Sequence, residues 1–287
     1  MEIFDRETKL IKLDNELFNK IYKKSLPIID SFKDFYRDLN KNEYKYLENY
    51  KNNSYNIFNF LVDCNIILDY NNILNLKNGK SLNLILKEYY NDLKKEIQVI
   101  DNLFLKKSIK IKNNYSVFRG EHDINIINNI LNLKIGETIN YKSFLSTSID
   151  FKSALKFTKV SNENKIILLI NIKKNNNIIY LPWLNDLKDR NIKKEKLYFN
   201  SEFEILLNRN ANLRLKKIKK IEDSKKKINN LDWYTDINSK KKFINLYIFD
   251  LVDYNKTIIN NFNDMKITID NKNLLKNLYY FDIKNNN

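Results

Sequence analysis

Three glycines and two prolines in 287 residues leave this chain almost without the residues that normally turn a backbone. Collagen-like, linker-rich and glycine-loop phosphate-binding architectures are excluded on that ground. Turns must come from asparagine, and runs such as Asn175-Asn176-Asn177 stand where glycine would stand elsewhere. Hydrophobic residues at 43% and aromatics at 13% supply a sizeable core and exclude wholesale disorder. The length suits one large domain or a domain with a helical annex. One cysteine and one histidine cannot build a disulfide framework, a Cys/His zinc site or a triad with a histidine to spare. Carboxylates, hydroxyls, arginine and the backbone remain for chemistry, and no metal is expected.

The formal net charge of +16 would ordinarily point to nucleic acid, an anionic membrane or an acidic substrate. The lysines are dispersed, however, and lysine, asparagine and isoleucine share A/T-rich codons. Each of the few arginines and glycines is correspondingly informative. The first forty residues contain no apolar stretch of signal-peptide length. The longest wholly aliphatic run, Ile166 to Ile170, is far too short to cross a bilayer. A soluble chain without membrane insertion is expected, cytoplasmic or delivered into a host cell by a route that reads no signal peptide.

The first hundred or so residues read as helical. Leu82, Leu86, Tyr89, Leu93, Ile97, Ile100 and Phe104 follow the three-and-four spacing of an amphipathic helix. Asn40 with Glu43 resembles a capping box opening a short helix with Tyr44, Leu47 and Tyr50 inward. Asn52-Asn53-Ser54 predicts a break, with Ser54 capping a further helix that carries Tyr55, Phe58 and Leu61. After Lys110 short β-branched and aromatic runs predict strands near 115–118, 144–147, 165–172, 202–207, 213–219 and 243–252, with short helices near 123–131 and 153–158. The expected fold class is α+β, a helical half packed on a mixed, largely antiparallel two-sheet β core. One domain over residues 1–255 is expected, helical over 1–110 and β over 111–255, with 256–287 as a C-terminal extension.

Three segments carry the residue types that a nucleotide glycosidic reaction needs. Val117-Phe118-Arg119-Gly120 is a strand ending in Arg-Gly; a planar guanidinium there can grip phosphate oxygens bidentately, and glycine lets the backbone come close to a ligand. Phe144-Leu145-Ser146-Thr147-Ser148 places Ser146 and Ser148 on one strand face and Thr147 on the other. With no base of the usual kind to activate it, Ser146 reads as a hydrogen-bond donor that fixes a carboxylate. Phe199 to Leu207 carries Glu202 and Glu204 on one face by alternation, a pair suited to stabilising an oxocarbenium-like ribose and steering a nucleophile. Taken singly, each segment reads equally as a surface arginine before a turn, an edge strand with solvated hydroxyls, or a solvated strand face.

In that order, Arg119, then Ser146-Thr147-Ser148, then Glu202-x-Glu204 resembles the arginine–serine–glutamate signature of mono-ADP-ribosyltransferases, the bacterial exoenzyme and clostridial binary toxin group and the arginine-specific ectoenzymes. The stretch from Leu133 to Ser148 and the helical stretch from Leu39 to Asn59 are similar to that family as well, so the likeness covers roughly residues 38–219. The resemblance implies the ADP-ribosyltransferase fold and NAD as co-substrate. It implies that Arg119 binds the NAD phosphates, that the Gly120 backbone holds the nicotinamide amide, and that Phe157 lies against the nicotinamide ring. Ser146 would orient Glu204, the catalytic glutamate on the nicotinamide ribose, with Thr147 beside it in the NAD site. Phe199 and Glu202 would face the acceptor protein, and a glutamate at position 202 resembles enzymes that modify arginine. Ser143 and Asn208 depart from the family pattern, and the long spacing from Ser146 to Glu202 implies an insertion around residues 184–196.

The expected activity is transfer of ADP-ribose from NAD to a protein side chain, arginine, with release of nicotinamide. NAD glycohydrolysis at the same site and a catalytically inactive basic binding module on the same fold are the alternatives. A nucleic-acid binder using Lys216, Lys217, Lys219, Lys220 and Lys225 to Lys227 is disfavoured, because no aromatics interleave those lysines as a stacking platform requires.

Overall fold

The computed structural model describes residues 7–68, 82–158, 164–182, 202–223, 242–254 and 262–269. In chain order the helices are α1 (Glu7–Asp30), α2 (Phe32–Arg37), α3 (Lys41–Val62), α4 (Leu82–Lys106), α5 (Ile124–Asn132) and α6 (Phe151–Lys156). The strands are β1 (Asn65–Leu68), β2 (Ile109–Lys110), β3 (Tyr115–Gly120), β4 (Thr138–Tyr141), β5 (Leu145–Ser148), β6 (Asn164–Ile172), β7 (Asn177–Leu181), β8 (Glu204–Leu207), β9 (Ala211–Asp223), β10 (Lys242–Tyr254) and β11 (Lys266–Ile269). The fold class is α+β, as the sequence predicts. The chain divides into two compact units, Met1–Leu39 with Lys107–Asn255, and Asn40–Lys106 with Lys256–Asn287.

In the first unit nine strands are hydrogen-bonded in the order β2-β7-β8-β5-β3-β6-β10-β9-β4. Every neighbouring pair is antiparallel except β6 with β10. Strand β6 reads as an unbroken apolar run because both its faces are covered: Ile166 to Ile170 are all buried. Phe118, Ile167, Leu169, Ile244 and Leu246 face the helical layer of Ile21 on α1 and Phe151, Ala154 and Leu155 on α6. Phe18 stacks on Phe151 at 3.8 Å between centroids, and both meet Phe118 edge to face. The expected asparagine turn is present: Asn175 takes the left-handed conformation (φ 71°) between β6 and β7.

The second unit contains α3, α4 and a two-stranded sheet in which β1 pairs in parallel with β11. Asn40 forms the capping box that the sequence predicts, accepting from the amides of Asn42 and Glu43 while Glu43 accepts from the Asn40 amide at 2.8 Å. The predicted break at 52–54 is absent. One helix runs from Lys41 to Val62, because Leu47, Tyr50, Ile57 and Phe60 continue a single inner stripe across the asparagines. Tyr55, expected on a further helix capped by Ser54, lies within this one and is 62% exposed. On α4, Leu86, Leu93, Ile97, Ile100 and Phe104 are buried as their spacing requires. Strand β1 interrupts the stretch expected to be helical, and β11 belongs to the stretch expected as an extension.

Candidate active site

The sheet order sets three sequence-distant segments side by side. β8, β5 and β3 are consecutive neighbours, so Glu204, the Ser146–Ser148 run and Arg119 occupy three adjoining strands. Glu204 is the direct cross-strand partner of Ser148, and Ser146 pairs with Leu206. Phe118 is the partner of Ser148 on the other side. Ser148, Glu204 and, two residues along the strand, Ser146 therefore share one face. Ser146, Glu202 and Glu204 are all half-buried.

The hydroxyls of this segment have different surroundings. Thr147 is buried and donates to the Ile205 carbonyl at 2.6 Å, which ties β5 to β8 inside the sheet. Ser148 donates to the Glu202 carbonyl at 2.7 Å and accepts from the Asp150 amide at 2.9 Å. It thereby joins the approach to β8 with the start of α6, whose first amides are capped by the Asp150 carboxylate. The expectation that alternation puts Glu202 and Glu204 on one strand face is not met. Phe203 adopts a left-handed backbone (φ 49°), so the strand begins only at Glu204 and the pleat does not extend back to Glu202. The strained turn is held by the Ile149 amide on the Phe203 carbonyl at 3.1 Å and by an edge-to-face contact of the Phe203 ring with Tyr22. Phe199 lies outside the described residues.

Gly120 is required for a reason the sequence did not reveal. A Cβ there would sit 2.0 Å from the Ala154 carbonyl oxygen and 2.9 Å from the Thr158 amide nitrogen, both backbone atoms of α6 and its end. Only glycine lets α6 cross β3 so closely. That crossing brings Phe157, 49% exposed at the end of α6, beside the Arg-Gly step.

Arg119 is held from two sides. Its Nε donates to the Glu121 Oε2 at 3.0 Å and its Nη1 to the Ser146 carbonyl at 2.9 Å. Its guanidinium carbon lies 5.7 Å from the centre of the Tyr141 ring. Glu121 was not singled out from the sequence. Its side chain is fully buried, and burial pushes its pKa up. The Arg119 charge, the Arg119 hydrogen bond and the amides of Asp123 and His122 outweigh burial, so the net shift is below the ordinary carboxylate value. Tyr141 donates to Glu121 Oε2 at 3.0 Å; burial first, then the Glu121 charge, holds its phenol protonated. Because Tyr141 is on β4, the far edge of the nine-strand order, the sheet must curl until that edge meets the end of β3. The i, i+2 spacing of Arg119 and Glu121 was the available sequence signal for this pair. Tyr141 offered none, since its place depends on a pairing with Ala211 seventy residues away.

No protein-family model and no curated protein matches the chain. Among solved structures, the chain is similar to the ADP-ribosyltransferase toxin Plx2a from Paenibacillus larvae, at 17% identity over 84% of this chain and 97% of that one, with a TM-score of 0.47. It is similar to C3larvin, an ADP-ribosyltransferase toxin of the same organism, at 14% identity over 78% and 94%, with a TM-score of 0.45. A further similar structure is the Vis toxin, an ADP-ribosyltransferase from Vibrio splendidus, at 15% identity over 80% and 86%, with a TM-score of 0.46. Among the described residues no helix is long and apolar enough to cross a membrane.

Proposed function

We propose that this chain is an NAD-dependent mono-ADP-ribosyltransferase that modifies a protein acceptor at arginine. The observation that carries the reading is the adjacency of β3, β5 and β8, which gathers Arg119, Ser146 and Glu204 from segments up to 85 positions apart. The donor set suits NAD: a half-buried guanidinium for the pyrophosphate, an exposed Phe157 ring for the nicotinamide, and a half-buried carboxylate for the ribose. NAD is consumed as a substrate. In the proposed reaction the bond between the ribose carbon and the nicotinamide nitrogen breaks, and nicotinamide leaves with the electron pair. Glu204, oriented by Ser146, offsets the positive charge that develops on the ribose. A guanidinium nitrogen of the acceptor attacks the same carbon and releases one proton, with Glu202 at the turn before β8 engaging the incoming group.

The test separates the two glutamates by following nicotinamide release with and without agmatine as an arginine analogue. Glu204→Gln is expected to lower both rates by about 10²–10³. Glu202→Gln is expected to lose the agmatine-dependent rate while keeping much of the NAD hydrolysis. Equal loss of hydrolysis in both variants overturns this division of labour. A wild-type rate that agmatine never raises identifies the glycohydrolase alternative instead.

A further inference from the structure

Glu121 accepts four hydrogen bonds beside the site, and the reaction scheme above does not use it. Its carboxylate receives hydrogen bonds from the Arg119 Nε and the Tyr141 hydroxyl on one oxygen, and from the His122 and Asp123 amides on the other, at 3.0, 3.0, 3.0 and 3.2 Å. Three of those partners can only donate, and they approach both oxygens. A carboxylate satisfies all of them at once. An amide cannot, since its NH2 end would oppose either Arg119 or the two backbone amides. The partners also come from separate elements: the end of β3, the edge strand β4, and the turn that leads into α5. The side chain is fully buried, so the orientation it imposes on Arg119 is shielded from competing water.

The geometry points to Glu121 as a positioning residue, supported by Tyr141, that fixes the plane of the Arg119 guanidinium for an anionic ligand; taken with the reading above, that ligand is the pyrophosphate of NAD. A buried ion pair is weak evidence of stabilisation, because desolvation offsets most of the attraction. Its distinctive effect is directional. With Nε fastened to Glu121 and Nη1 to the Ser146 carbonyl, the guanidinium cannot rotate about its stem. Binding then requires less ordering of a long side chain, which favours affinity. The pyrophosphate is remote from the bond that breaks, so the benefit should be nearly equal in ground and transition states and should show in KM more than in kcat.

The experiment uses the full chain as wild type, Glu121→Gln and Tyr141→Phe. Each is tested by direct titration with NAD, by KM and kcat for nicotinamide release, and by thermal unfolding. Glu121→Gln is expected to raise the NAD dissociation constant and KM by about tenfold or more while kcat stays within about threefold. Tyr141→Phe removes one of four hydrogen bonds and is expected to shift the same quantities in the same direction by about threefold. An unchanged KM in folded Glu121→Gln, with kcat falling only as the folded fraction falls, overturns the assignment. If Glu121→Gln does not fold, the KM of Tyr141→Phe decides by the same criterion. A wild type that neither binds NAD nor releases nicotinamide removes the NAD reading and this inference with it. An active wild type whose variants keep KM removes this inference alone.

Discussion

Arg119 makes two directional bonds from different nitrogens of one plane, to Glu121 and to the Ser146 carbonyl. A lysine carries the charge but has no such fork. Arg119→Lys should therefore weaken NAD binding by about tenfold or more in direct titration, and wild-type affinity in that variant would remove Arg119 from the NAD site. Gly120 answers to a different constraint. A methyl group there would meet backbone atoms, which cannot swing aside as a side chain can. Gly120→Ala should destabilise the fold by about 1–3 kcal/mol, seen as a lowered melting temperature, and an unshifted melting curve would mean that α6 does not press on β3. Glu121 adds a pH dependence. Its folded-state pKa is lowered, so its contribution to stability is complete above the ordinary carboxylate value of 4.5 and is lost as pH falls through the folded value. Protonating Glu121 removes the acceptor that holds Arg119, so the NAD dissociation constant should rise as pH falls below 4.5.

The second unit contains a buried glutamate of opposite sign. Glu96 lies on the inner side of α4, and burial first, then the Asp92 charge one turn away, raises its pKa from 4.5 to about 7. The folded state holds a proton there that the unfolded chain gives up, so stability falls as pH rises from 4.5 to 7 and the full penalty applies above. It amounts to up to about 3 kcal/mol. Glu96→Gln should remove that slope and raise the melting temperature at pH 8 more than at pH 5; an equal change at both would place the proton elsewhere. At this scale the sequence was legible wherever the signal was local. The α4 stripe and the Asn40 capping box depend only on residues three or four positions apart. The break expected at Asn52-Asn53-Ser54 did not occur, because burial of Ile57 and Phe60 outweighs the weak helix preference of three polar residues. Strands β1, β4 and β11 have four residues each and were not expected, since so short a run carries no periodicity that distinguishes strand from loop.

Each unit is assembled from segments far apart in the chain, and this is most pronounced where β1 pairs with β11 across roughly two hundred positions. Ending the chain at residue 255 removes β11, to which β1 is paired in the two-stranded sheet, and leaves both edges of β1 without that ladder. Amide hydrogen exchange at 65–68 should then become fast, and unchanged protection there would mean that α3 and α4 hold β1 without its partner. The sequence by itself determined what the chain had available: scarce glycine and arginine made Arg119-Gly120 conspicuous, and hydroxyls and carboxylates were left for the chemistry. It also determined the α+β class and the order of the three motifs, because composition and short-range periodicity are properties of neighbours in the chain. Only the tertiary structure decided that β8, β5 and β3 adjoin, that Phe203 breaks the pleat between Glu202 and Glu204, and that Glu121 and Tyr141 close around Arg119. Those outcomes follow from which distant strands pair and how far the sheet curls, and no window of sequence contains both partners of such a pairing.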